Sequence, residues 1–115
     1  MKKFLLTLIF IISYNVCLGQ NYKDEISIVC FTASFVKDKE LKDWKKLSSA
    51  NKHIIDIEKN TSIMVEEGID VVPTIKIYND GVEVKVWKAN ILFELEVTIK
   101  EIQITIDEVV ESKFN

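Results

Sequence analysis

The sequence predicts an α/β domain with a central mixed sheet flanked by helices, in the order βαβαββα. Three observations lead there. Ile26-Ser27-Ile28-Val29-Cys30-Phe31 is almost wholly apolar and β-branched, with charges on both sides, the profile of a strand covered on both faces. Gly68 to Gly81 reads G-I-D-V-V-P-T-I-K-I-Y-N-D-G, a proline-led strand closed by a turn signal. Ile99, Ile102, Ile106 and Val109 recur on one helical face near the C-terminus.

The chain begins with Met1-Lys2-Lys3, an apolar run from Phe4 to Ile12, then Ser13 to Gly19. That pattern fits an export signal over residues 1–19, cut after Gly19, with a single folded domain over residues 20–115. The apolar run is short for a membrane span, which needs about 20 residues. An uncleaved anchor is the alternative, and it would be the only membrane contact expected. Lipidation at Cys17 is disfavoured, because Tyr14-Asn15-Val16 lacks the small residues such sites carry. Export makes the protein periplasmic or secreted.

The first strand, Ile26 to Phe31, is followed by Thr32-Ala33-Ser34-Phe35 and a charged segment. There Leu41, Trp44 and Leu47 stand three apart, predicting a helix over Lys37–Leu47 with a narrow apolar stripe. Lysines cover its other side, but Asp38, Glu40 and Asp43 are interleaved, so a solvated face is expected rather than an anion site. His53 to Ile57 makes the second strand. His53 is the only histidine, with no cysteine or second histidine near it, so a surface or strand-entry role is expected rather than a metal or catalytic one.

Asn60-Thr61-Ser62 offers helix N-caps, Ile63 to Glu67 a short helix, and Gly68 its stop. Pro73 has no N–H for a ladder, so it stands at the start of the third strand, with Ile75 and Ile77 facing the core. Asn79-Asp80-Gly81 turns the chain into Val82-Glu83-Val84-Lys85-Val86-Trp87, whose strict alternation predicts an exposed edge strand. Tyr78 and Trp87 are expected to leave apolar surface near that edge. Asn90 to Val97 is an apolar-rich connector, and Thr98-Ile99-Lys100-Glu101 is a capping box opening the last helix. No internal repeat, low-complexity tract or linker interrupts this order.

Composition narrows the function classes. The net charge is −3 and all 15 basic residues are lysine. A chain of that balance without arginine lacks the basic footprint of a nucleic-acid binder. With Cys17 removed, Cys30 is the one remaining cysteine and cannot form an internal disulfide. Nothing implies a cofactor.

The element order and the residues Gly68-Ile69, Val72-Pro73-Thr74, Tyr78 and Gly81 resemble the thioredoxin family, trimmed of its first strand and helix. The resemblance is strongest from Glu58 to Gly81 and weaker over Ile28 to Phe35 and the last helix. It implies a cis proline at Pro73. It also places Val36 and Lys39 where the family carries its two active cysteines. Neither side chain forms a thiolate, so the dithiol cycle has no carrier. Cys30 stands where the family keeps a buried aspartate, Ile54 where it often keeps a lysine, and Ala89 or Lys88 where it keeps a glycine.

What the resemblance leaves is a peptide-binding groove of Phe35, Val36, Val72, Pro73 and Thr74, since main-chain pairing needs no sulfur. The expected function is a non-catalytic module for an extracytoplasmic protein or an extended peptide, with no catalytic residue. Alternatively Pro73 serves folding alone. The rival activity is thiol–disulfide exchange through the single Cys30, although a mid-strand thiol among apolar neighbours lacks the exposure and lowered pKa of reactive cysteines.

Overall fold

Four strands form one mixed sheet in the order β2-β1-β3-β4. The computed structural model of the protein describes residues 21–39 and 41–114. The expected leader over residues 1–19, with Cys17, lies outside the described residues. β1 (Ile26–Thr32) pairs in parallel with β2 (Asn51–Asp56) and antiparallel with β3 (Thr74–Asn79), which turns back into β4 (Val82–Lys88). Two helices, α1 (Thr61–Glu66) and α2 (Ile99–Phe114), complete the domain.

Every residue of β1 is buried, as its unbroken apolar run requires of a central strand. Alternation splits its side chains between two cores. Ile28 and Cys30 join Ile75, Ile77, Ile102 and Ile106 on the α2 side, with Ile28 opposite Ile77 and Cys30 opposite Ile75. Val29 and Phe31 join Tyr78 on the other side, where Ile63 of α1 and Ile69 pack against them. Each isoleucine fully buried in this way stabilises the fold by roughly 1.5–3 kcal/mol before entropy is counted.

Local chemistry sets the boundaries of these elements. At the end of α1 the Ile69 N–H donates to the Met64 carbonyl at 3.0 Å and the Gly68 N–H to the Val65 carbonyl at 3.2 Å. This Schellman pair needs a left-handed residue, and Gly68 supplies it at φ 64. The β3–β4 hairpin closes through Asp80 and Gly81, at φ 50 and 88, the two positive values a type I′ turn demands. At α2 the Glu101 N–H donates to Thr98 Oγ1 at 3.2 Å, so Thr98 caps the helix. Pro73 sits just before β3, after a cis Val72–Pro73 bond.

The chain between β1 and β2 differs from the predicted helix over Lys37–Leu47. It forms two short 3₁₀ turns, Ser34–Lys39 and Trp44–Lys46. Leu41, Trp44 and Leu47 repeat every third residue with no fourth-residue partner, which is the period of a 3₁₀ turn rather than an α-helix. All three pack on the α2-side core. Val36, buried and β-branched, breaks the first turn with φ −121 and ψ 19. The βαβαββα order stands, with its first helical segment wound more tightly.

Tyr78 is another correction. It was expected to leave apolar surface near the edge, but it is buried and its hydroxyl donates to Glu67 Oε1 at 2.8 Å. Trp87 is half-buried on β4, against the α2-side core.

Candidate functional site

The site forms where the loop after β1, the proline loop and the connector after β4 converge. Ser34 is held from both its backbone N–H and its hydroxyl, which donate to Glu58 Oε1 at 2.9 Å each. Val36 sinks into a small core with Ala33 and Val72, and its N–H donates to the Ala33 carbonyl at 3.1 Å. With both neighbours fixed, the ring between them is forced outward, and Phe35 stands 64% exposed.

The proline loop is fixed at three points. Thr74 Oγ1 donates to the Val71 carbonyl at 2.7 Å, and the Ala89 N–H donates to the Pro73 carbonyl at 3.1 Å. Lys88 Nζ pairs with Asp70 at 3.1 Å, and that hydrogen bond and charge hold the Asp70 carboxyl below its usual pKa. Among the described residues, no hydrogen bond engages the N–H or C=O of Val72.

Asn90 organises the third wall. Its Oδ1 accepts from the N–H groups of Leu92 and Glu94 at 2.9 and 3.1 Å, and its carbonyl accepts from Phe93 at 3.0 Å. Phe93 takes a left-handed backbone at φ 62. Its ring meets Phe35 edge to face, with centroids 5.6 Å apart. The same turn projects Ile91 and Leu92 into solvent, 94% and 62% exposed.

Between these walls lies an open groove of about 220 Å³, lined by Phe35, Met64, Ile69, Val71, Val72 and Phe93, with Asp70 at its rim. Of the residues singled out from the sequence, Phe35 and Val72 line it. Val36, Pro73 and Thr74 lie beneath the surface and shape it. Phe93, Met64, Ile69 and Asp70 were not anticipated. The signal for Phe93 was present, because three consecutive apolar residues in a turn-like connector are costly unless they have a use.

Apart from Asp70, the groove is lined by apolar side chains. Its lining residues include no cysteine or histidine. Cys30 is 4% exposed and faces the opposite side of the sheet, under Leu41 and Trp44. Val36 has no ionisable group. Among the described residues, no cluster of three histidine, cysteine or acidic side chains is arranged to hold a metal. No helix of the described residues is long and apolar enough to cross a membrane.

A separate polar cluster ties the N-terminal 3₁₀ turn, Asn21–Lys23, to the sheet. Glu67 pairs with Lys23 Nζ at 2.8 Å and accepts from Tyr78, while Lys76 Nζ donates to the Glu67 carbonyl at 2.7 Å and pairs with Glu83. Burial pushes the Glu67 pKa up. The hydrogen bonds from Lys23 and Tyr78, with the charges of Lys23 and Lys76, outweigh it, so the carboxyl titrates below its usual value. Burial, then the Glu67 charge, raises the phenol of Tyr22 to about 12 and lifts that of Tyr78 as well.

No family model matches this chain, and no curated protein sequence does. Solved structures do. A thioredoxin from Malassezia sympodialis superposes with a TM-score of 0.54 at 14% identity, covering 78% of this chain and 81% of its own. Thioredoxin O2 from Arabidopsis thaliana, in its oxidised state, gives 0.52 at 15% identity over 84% and 85%. A designed protein gives 0.57 at 20% identity over 80% and 87%. At such identities the likeness speaks of architecture alone, and the chain has a thioredoxin-like fold.

Proposed function

We propose that this protein is an exported, non-catalytic binding module that holds an extended peptide segment of an extracytoplasmic protein. The observation that carries this reading is the groove between Phe35 and Phe93, floored by Val72. A bound strand would add main-chain hydrogen bonds to Val72 and place alternate side chains against the two rings. An apolar side chain entering there displaces water from aromatic surface, the usual source of affinity at such sites.

The remaining chemistry favours binding over turnover. The positions that resemble the family's reactive pair are Val36 and Lys39, and Cys30 is buried on the far side of the sheet. Export is inferred from Met1-Lys2-Lys3 and the apolar run Phe4 to Ile12. The test is fluorescence titration of the protein with a panel of extended apolar peptides. Micromolar binding that weakens at least about tenfold in Phe93→Asp fits the proposal. Absence of binding across the panel, or catalysed disulfide reduction by the wild type but not by Cys30→Ser, contradicts it.

A further inference from the structure

The outer edge of β2 is open. It ends the β2-β1-β3-β4 order, so among the described residues no strand pairs on that side. One hydrogen bond fixes which backbone groups face outward. The Ile57 N–H donates to the Thr32 carbonyl on β1 at 2.9 Å. The N–H and C=O of one strand residue point to the same side and those of the next point away. Lys52, Ile54 and Asp56 therefore turn their backbone groups away from β1.

Open edges are templates for pairing unless something blunts them. The other edge, β4, is blunted by a register shift between Ile77 and Tyr78 and by Glu83 and Lys85 along it. β2 has neither a proline nor a shift in its pairing with β1. Its one lysine is also turned aside, because Lys52 Nζ donates to the carbonyls of Lys45 and Leu47 at 2.9 Å each. At the middle of the strand, Ile54 stands 54% exposed.

We propose that β2 pairs antiparallel with β2 of a second copy of this chain, about a two-fold axis between the two Ile54 residues. The strand is self-complementary in this register. Ile54 faces Ile54, and the backbone groups of Lys52 face those of Asp56 at both ends. All of these are outward residues, so they exchange main-chain hydrogen bonds directly. The Asp56 carbonyl already accepts from Asn60 Nδ2 at 2.9 Å and keeps a second lone pair for Lys52. Moving the axis by one residue either way sets a charged side chain against Ile54. The paired isoleucines lie beside Leu41 and Trp44, which flank Ile54 on that face, and the two four-stranded sheets become one. This proposal is independent of the peptide groove, whose lining draws no residue from β2.

The test is sedimentation equilibrium of the full-length expressed protein over a concentration series. The expected mass is that of two chains. Ile54→Lys sets like charges opposite each other at the axis and weakens association about tenfold or more, with an unchanged circular dichroism spectrum. Ile54→Cys, with Cys17 and Cys30 replaced by serine, forms a disulfide between copies on mild oxidation. Directly opposed residues of this kind stand about 5.5 Å apart at Cα, within disulfide reach. This crosslink decides the matter if Ile54→Lys fails to fold. The mass of one chain throughout the series overturns the proposal. So does a dimer indifferent to Ile54→Lys, or an Ile54→Cys chain that does not crosslink.

Discussion

The ring of Phe93 stands at 87° to the ring of Phe35, edge to face, across the mouth of the groove. Neither ring is placed by its own burial. Phe35 is pushed out between the Glu58-bound Ser34 and the sunken Val36, and Phe93 is carried by the turn that Asn90 ties. Edge-to-face pairs contribute about 0.5–1.5 kcal/mol beyond area. A double-mutant cycle with Phe35→Ala and Phe93→Ala, read by urea unfolding, is expected to give a coupling near the lower end, because both rings are partly solvated.

Asn90 is the positioning residue of that wall. Asn90→Ala removes the acceptor for the N–H groups of Leu92 and Glu94. The expected cost in stability is about 1 kcal/mol, while peptide affinity falls further because Phe93 loses its fixed place. Paired measurements of unfolding and binding check this, and equal losses in both would contradict it.

Glu67 makes stability depend on acid. Its carboxyl titrates lower in the folded protein than in the unfolded chain, so the folded state gains from its charge at neutral pH. That gain is complete above the ordinary glutamate value of 4.5 and is lost as pH falls through the lower folded value. Denaturant unfolding of wild type and Glu67→Gln should differ most near neutrality, with the gap closing below pH 4.5. Tyr22 acts in the opposite direction. Its neutral form is favoured up to about 12 rather than the ordinary 10.0, so that contribution is lost as pH rises through about 12.

The readable parts of the fold were those written by local chemistry. Gly68 and Gly81 signalled positive φ, Thr98 signalled a cap, and the spacing of Ile99, Ile102 and Ile106 signalled the buried face of α2. The winding of the segment from Lys37 to Leu47 was not legible, because charged residues around a sparse stripe suit an α-helix as well as successive 3₁₀ turns. Just ahead of it, the burial of Val36 with Ala33 and Val72 is a long-range contact that local sequence does not show. The groove was half legible for the same reason. Phe35 and Val72 flank recognisable motifs, whereas Met64, Ile69 and Phe93 come together only once α1 and the connector are folded.

Cys30 supplies a direct check on redox chemistry. Reaction with a thiol reagent is expected to be slow in the native protein and fast in denaturant, since the side chain is 4% exposed and lies under Leu41 and Trp44. Rapid native modification would return thiol exchange to consideration.

Peptide binding by the groove, without sulfur chemistry, is best tested by backbone amide chemical shifts during titration with an extended apolar peptide. Shifts concentrated at Phe35, Val71, Val72 and Phe93, identical in wild type and Cys30→Ser, are the predicted result. A titration that leaves those amides unmoved, or a response that vanishes with the Cys30 thiol, would contradict it.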